Sequence, residues 1–373
     1  MSRRVVVTGT GAVSPLGRGS GPFLERLLAG DSVIRPLPAA LMDGMQASEA
    51  ARFESFSPQP EIPAMKARRL DRGSQFAVIA CAEALRESGY PLGDDPDSLG
   101  IALGTASAGA DAVSEFLRVL ILESPEAAPP FQFPNTVANA PAGQAALELK
   151  ARGPNVMITQ KTSSAFNALI FAVLALSSGR ARAMLAGGVD EWNPVYAAGF
   201  DSVGALRGRR RSSGYVQGEG CFALMLEPQE AAMSRGARAL ATLAGIGVAA
   251  APTEPWKFAA DPEPVARAIR AALEDAGVSA GEIGMWLPSR NGVTDMDAAE
   301  REAVRELFGT PPPALAVKDA IGEMAAAGAA QLLVAARAIA GGTGPFDGSR
   351  RPRRALALSC GAGGNFLAAV MTE

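Results

Sequence analysis

One stretch constrains the fold more than any other. Asn155–Trp192, "NVMITQKTSSAFNALIFAVLALSSGRARAMLAGGVDEW", reads as a short apolar strand, a tight turn, a small-residue helix, and a second strand ending in Ala186-Gly187-Gly188. Strand–helix alternation of this kind belongs to the α/β class, in which sheets are covered by helices. In many enzymes the same layout presents a nucleophile at the turn, where the N-terminal dipole of the helix lowers its pKa. Here the turn holds Gln160, Lys161, Thr162, Ser163 and Ser164, with no cysteine, and the whole chain has no histidine. The commonest general base near neutral pH is therefore missing.

Alternation continues on both sides of this stretch. Val5–Thr8 predicts a strand feeding a Gly-rich turn, "TGTGAVSPLG", whose glycines lack the spacing of a dinucleotide fingerprint. Asp71–Gly89 predicts an amphipathic helix, "LGIALGTAS" a strand, Ala142–Leu149 a helix, and Val265–Ala276 another amphipathic helix entered after Pro264. "RGRRRSSG", Arg207–Gly214, reads as a solvated basic turn. At 373 residues, 48% hydrophobic and 6% aromatic, the composition suits a tightly packed α/β protein. A net charge of −3 supplies no field that would draw nucleic acid or anionic lipid. No apolar run reaches the roughly 18 residues that a membrane span requires. "RRVVVTGTGAV" is too short and Gly-rich for a signal peptide. Cys81, Cys221 and Cys360, few and odd in number, predict reduced thiols and a cytoplasmic location. Without histidine or paired cysteines, no metal site is expected, and no cofactor.

An internal echo adds a second constraint. "ALAVKDAIGEMAAAGAAQLLVAARAIAGG" again predicts an apolar strand, a turn and an Ala-rich helix followed by a Gly pair. "ALALSCGAGGNFLAAVM" predicts two closing strands around a Gly turn. Two βα halves, residues 1–237 and 238–373, predict a duplicated fold with Ala-rich helices as a central layer, since small side chains permit close approach.

In chain order, "RRVVVTGTGAVSPLG", "FPNTVANAPAGQAALELKARGPN", "AGGVDE", "GYVQGEGCFALMLEP" and "SCGAGGN" resemble the β-ketoacyl-acyl-carrier-protein synthases over essentially the whole chain. The resemblance implies a thiolase fold, with duplicated βαβαβαββ halves in five layers, α-β-α-β-α, and a dimer. It also implies insertions in the N-terminal half that form the dimer interface and a tunnel. The family's site is a Cys-His-His triad: the cysteine takes the acyl chain, and the histidines assist malonyl decarboxylation and condensation.

At all three triad positions this chain departs from the pattern. Counting back from Ala186-Gly187-Gly188 puts Thr162 at the nucleophile, with Ser163 and Ser164 as the small polar pair that follows it. "RNGVTDMDAAE" puts Asn291 at the first histidine. "KDAIGE" keeps Lys318 and Gly322 but puts Glu323 at the second. Threonine is a poor nucleophile, and no imidazole exists to activate it. Loss of all three together resembles the chain-length factors, the β partners of type II polyketide ketosynthases. Many of these place a glutamine at the lost cysteine. Here Gln160 lies two residues earlier, so either the register slips or the chain belongs to a less usual branch.

That resemblance implies a heterodimer with an active ketosynthase α subunit, served by an acyl carrier protein. The growing acyl chain would extend down an interfacial tunnel floored by the β subunit. The matching segment is "ASAGADAVSEFLRVLIL", where Ala112, Val113, Phe116 and Val119 are the expected tunnel residues; Phe131 and Phe133 would approach from the following loop. At helical spacing Ala112, Phe116 and Val119 share a face, which reads equally as ordinary core. Gln160, Ser163, Lys318 and Glu219 are expected as structural groups near the former site, with Lys318 and Glu323 forming a turn-stabilising pair. Two enzymatic alternatives stay open: a Ser163- or Thr162-dependent acyltransferase with Lys161 as base, and a malonyl decarboxylase. A scaffold without a polyketide partner is a third class.

Overall fold

The computed structural model describes residues 4–93, 95–341 and 351–373. Nine strands among the described residues form the spine: β1 (Val5–Ser14), β2 (Leu99–Gly104), β3 (Asn155–Ile158), β4 (Ala183–Asp190), β5 (Gly220–Pro228), β6 (Ala241–Ala250), β7 (Met285–Leu287), β8 (Arg354–Gly361) and β9 (Asn365–Thr372). They are hydrogen-bonded in the order β7-β8-β9-β6-β1-β5-β4-β2-β3. Pairing is parallel for β3 with β2, β2 with β4 and β7 with β8, where helices make the crossovers, and antiparallel elsewhere. The two expected sheet layers are thus two wings of one sheet, joined where Val5–Val7 of β1 meets Ala241–Leu243 of β6.

Period-2 alternation sorts the strand residues into three cores. Phe222, Leu224 and Leu226 of one wing and Ala357, Leu367 and Ala369 of the other face a shared central core. Cys221, Ala223 and Met225 face a second core on one outer side, and Leu358, Phe366 and Val370 a third on the other. The central core holds the Ser164–Ser177 and Ala327–Ala340 helices. The second is covered by Arg72–Ser88 and Ala140–Leu149, and the third by Pro262–Ala276 and Thr294–Phe308. This is the expected order α-β-α-β-α. Ala327–Ala340 is buried at every position except Arg337 and Ala340, as a helix that is apolar nearly all round must be.

The predicted helices end where local chemistry ends them. The Asp71 carboxylate caps Arg72–Ser88 by accepting from Ser74 N at 3.0 Å, and Gly89 closes it at φ 59°. The Asp261 carboxylate caps Pro262–Ala276, starting that helix earlier than expected. Two expectations fail. "TGTGAVS" is not a turn, because β1 runs unbroken to Ser14. Its glycines serve the helix above: a Cβ on Gly9 would lie 2.1 Å from Ala84 O, and one on Gly11 1.9 Å from Ala80 O. The apolar strand expected before Lys318 is reduced to one bridge, Trp286 with Ala314. Pro311-Pro312-Pro313, which lack N–H donors, precede it. Gly342, second of the echoed Gly pair, lies outside the described residues. No helix among the described residues is long and apolar enough to cross a membrane.

Candidate functional site

Strand ends and tight turns from both halves converge on one cavity of about 230 Å³. Thr162 enters from the 3₁₀ turn Lys161–Ser163, between β3 and the Ser164–Ser177 helix. Glu323 enters just after the short Lys318–Ile321 helix, past Gly322 at φ 73°. Ala362 enters from the Gly turn between β8 and β9. Phe200, Tyr215, Trp256 and Phe258 form an aromatic wall, and Gln217 and Met324 complete much of the lining. Gly188 of β4 allows the halves to close, since a Cβ there would lie 2.8 Å from Ala326 Cα.

Glu323 is buried, and its carboxylate accepts three hydrogen bonds. Oε2 accepts from Lys318 Nζ at 2.8 Å and from Asn291 Nδ2 at 2.7 Å, while Oε1 accepts from Met324 N at 3.1 Å. Burial pushes the carboxyl up from its ordinary range, and the Lys318 ammonium opposes the rise. Lys318 Nζ also donates to Ser289 O at 2.9 Å. Asn291 is held in turn, its N–H donating to Asp297 Oδ1 at 3.0 Å. Asn291, Lys318 and Glu323 therefore form one buried network, with the expected ion pair at its centre. Three donors of the protein thus already engage the oxygens of this carboxylate.

The Thr162 hydroxyl faces Ala362 N at 3.4 Å. Ser163 Oγ donates to Gln160 O at 3.0 Å, and Ser164 Oγ accepts from Gln160 N at 2.7 Å, so both serine hydroxyls are engaged in closing the turn. Lys161 sits at φ 50°, a strained conformation for a non-glycine residue. Its Nζ donates to Pro255 O rather than to either candidate nucleophile. The Gln160 side chain is exposed, and it is Thr162 that reaches the cavity.

No thiol substitutes for the missing nucleophile. Cys81, Cys221 and Cys360 are free and buried, and none lines the cavity. Burial pushes the Cys81 thiol up to about 12 and raises those of Cys221 and Cys360 well above the ordinary range. Glu219 does not line the cavity, although its neighbour Gly218 does, and its carboxylate anchors backbone. It accepts from Phe53 N at 2.6 Å and Trp192 N at 3.0 Å and pairs with Arg72.

The Ala110–Leu122 helix does not line this cavity. Ala112, Val113 and Phe116 are half-buried, Val119 is buried, and Phe133 is exposed with its ring 5.6 Å from that of Phe116. Leu117, Ile121, Leu122 and Phe131 are exposed alongside.

Sequence reasoning passed over Asp190, although it quoted the motif "AGGVDE". Asp190 is buried, and its Oδ1 accepts from Thr105 Oγ1 at 2.9 Å, Ala106 N at 2.7 Å and Ser107 N at 2.9 Å. Oδ2 accepts from Ala325 N, tying the end of β4 to the C-terminal half. Gln217 and Tyr215 were missed too; the quoted "GYVQGEG" carries no signal that these two side chains turn inward.

This architecture and site are those of a condensing-enzyme scaffold. The β-ketoacyl synthase N-terminal domain matches residues 2–232 and the C-terminal domain residues 240–346. The chain belongs to the β-ketoacyl synthase family. Nodulation protein E of Rhizobium sp. (strain N33) is 31% identical over 320 residues, covering 83% of this chain and 78% of the relative. The 3-oxoacyl-[acyl-carrier-protein] synthase 2 of Rhizobium meliloti (strain 1021) is 30% identical over 366 residues, covering 90% and 86%. Among solved structures, the ishigamide ketosynthase/chain length factor superposes with a TM-score of 0.88 at 27% identity, covering 100% of this chain and 99% of that one.

Proposed function

We propose that this chain is a non-catalytic chain-length factor, the β subunit of a heterodimer with an active ketosynthase α subunit. In this reading Thr162, Asn291 and Glu323 occupy the degenerate triad positions, and acyl carrier protein is engaged through the complex. The observation that carries it is the buried network at the cavity: Glu323 is held by Lys318, Asn291 and Met324, and Thr162 has neither thiol nor imidazole beside it. Likeness to a ketosynthase/chain length factor structure supports the same reading. The exposed apolar surface of Leu117, Ile121, Leu122, Phe131 and Phe133 supports a partnered face. Residues 1–237 would carry that face and the tunnel, with 238–373 completing the layered core.

The test is co-expression with the ketosynthase encoded nearest to this chain. We expect a stable heterodimer, no mass gain when the lone chain meets acyl carrier protein loaded with acyl or malonyl groups, and no release of carbon dioxide. Thr162→Ala should leave turnover of the complex within about twofold. An acylated lone chain, or a hundredfold loss of turnover with the heterodimer intact, would overturn the reading and return the site to catalysis.

A further inference from the structure

Glu191 holds the first turns of two helices at once. Its Oε1 accepts from Asp111 N at 2.9 Å, and its Oε2 accepts from Gly73 N at 3.2 Å. Each donor belongs to the second residue of its helix, where an N–H has no intrahelical partner. The two helices differ in what else holds them. Arg72–Ser88 packs into the second core through Phe76, Ala80 and Ala84, and has the Asp71 cap besides. In Ala110–Leu122 only Ala110 and Val119 are buried. That helix therefore depends more on the contacts at its start. These include Glu191 and the Asn193 amide, which donates to Asp111 Oδ1 at 2.7 Å.

The carboxyl that makes this tie is crowded by other acids. Glu191 is buried, and a Cβ on Gly73 would lie 3.7 Å from its Oε2 and 3.3 Å from Asp71 Oδ2. Asp111 faces it from the second helix. Its strand neighbour Asp190 is turned toward Thr105 and Ala325. Arg72, the cation of the first helix, pairs with Glu219 of β5, and Arg52 lies over the ring of Trp192, 5.4 Å from its centre. Both cations are thereby committed elsewhere. Burial first, then Asp111 and Asp71, push the Glu191 carboxyl up to about 8 against the two N–H donors.

We propose that Glu191 is a positioning residue: its protonated side chain seats the Ala110–Leu122 helix on the body of the molecule, and the seat loosens as pH rises. Loosening returns the carboxyl to water and to its ordinary range, near 4.3. Between that value and about 8, the seated state holds a proton that the loosened state has released. Loosening therefore grows by up to about tenfold per pH unit across the window and levels off above it. Ala112 and Phe116 ride on the same helix. Under the chain-length reading, on which this consequence rests, pH would change how far the acyl chain extends.

Hydrogen exchange of the full chain, corrected for the intrinsic pH dependence of the rate, is followed by mass spectrometry from pH 5.5 to pH 9. Peptides of Ala110–Leu122 should lose about tenfold or more in protection between pH 5.5 and 7.5, levelling off by pH 9. Those of Arg72–Ser88 should change by less than about threefold. Glu191→Gln keeps an oxygen for Asp111 N but cannot ionise, so protection of the helix should stay nearly flat. Asp111→Asn removes an opposing carboxylate and should bring the levelling-off to lower pH. Equal loss in both helices, or a loss in Glu191→Gln as steep as in wild type, would overturn the proposal. The wild-type comparison of the two helices stands even if neither variant folds. In the heterodimer, the share of longer chains should rise more between pH 6 and pH 8 with wild type than with Glu191→Gln, the partner being the same. Loosening of the helix without that difference would uphold the proposal and count against a length-setting role for Ala112 and Phe116, so the two failures are distinguishable.

Discussion

Lys318 is buried against Glu323 and the carbonyl of Ser289; the two paired side chains are 2% and 0% exposed. Such a pair adds little over a well-packed apolar alternative, but breaking it leaves an uncompensated buried charge. Lys318→Met should therefore destabilise the chain by about 3–5 kcal/mol. Adding Glu323→Gln should bring the denaturation midpoint back toward wild type, since the stranded carboxylate is then gone. If the double variant were no better than Lys318→Met, the pair would not be coupled. Glu191 makes the opposite case, an acid buried without a cation. It accepts from Gly73 N at 3.2 Å and Asp111 N at 2.9 Å, and burial, together with nearby Asp111 and Asp71, pushes its carboxyl up to about 8. The sign follows directly. Between the unfolded value near 4.3 and about 8 the native state holds a proton that the unfolded state has lost, so stability falls as pH rises through that window and levels off above it. Glu191→Gln removes the titration, so its stability relative to wild type should increase from pH 5 to pH 9, as measured by urea midpoints; a constant difference would contradict the assignment. Flanking motifs drew attention to Thr162, Asn291, Lys318 and Glu323 in the sequence, and the structure brings Thr162 and Glu323 to one cavity and joins Asn291 and Lys318 to Glu323. Gln217, Asp190 and Glu191 were not legible there, because what they do depends on contacts as distant as Asp190 with Ala325, which no local pattern encodes.

At the scale of elements, pattern read well where one face or one cap decides, as in Arg72–Ser88 between Asp71 and Gly89. It misled where a glycine answered to a distant neighbour. "TGTG" carries the usual signature of a turn, yet Gly11 lies in β1 because the backbone of the Arg72–Ser88 helix passes directly over it. The clash that a side chain would create is with backbone, which cannot swing aside as a flexible side chain could. Gly11→Ala should thus cost more than about 4 kcal/mol or prevent folding, placing it in the tail of mutational effects. Gly21, in the Ser20–Leu28 helix, has nothing within 4 Å of an added Cβ. Gly21→Ala should be neutral or stabilising by up to about 1 kcal/mol. Comparable midpoints for the two variants would show that helix and strand can separate at little cost, against the packing described. The echoed strand before Lys318 failed for a related reason: an apolar run predicts burial, but only a partner strand makes it a strand, and here pairing ends at Ala314.

The whole molecule brings the site and the exposed helix into one functional question. Ala110–Leu122 runs outside the central cavity, with Ala112 and Phe116 half-buried one turn apart and Ile121 and Leu122 exposed at 73% and 72%. In the proposed heterodimer this helix faces the partner, and the volumes at 112 and 116 limit how far an acyl chain extends. Enlarging Ala112 to Phe would occupy space otherwise open to the chain, and overpacking costs about 1–3 kcal/mol. Applied to the extension step, a cost in the middle of that range changes the ratio of extension to release by roughly tenfold or more. Ala112→Phe should shorten the product of the complex, and Phe116→Ala should lengthen it or broaden its distribution, as read by mass analysis of carrier-bound chains. Heterodimer size and the initial extension rate should stay near wild type in both, because the proposal leaves the chemistry with the partner. A fall in initial rate without a change in length would assign the helix to assembly. Wild-type length from both variants would make Ala112 and Phe116 ordinary packing and move the length-setting surface elsewhere on the apolar face.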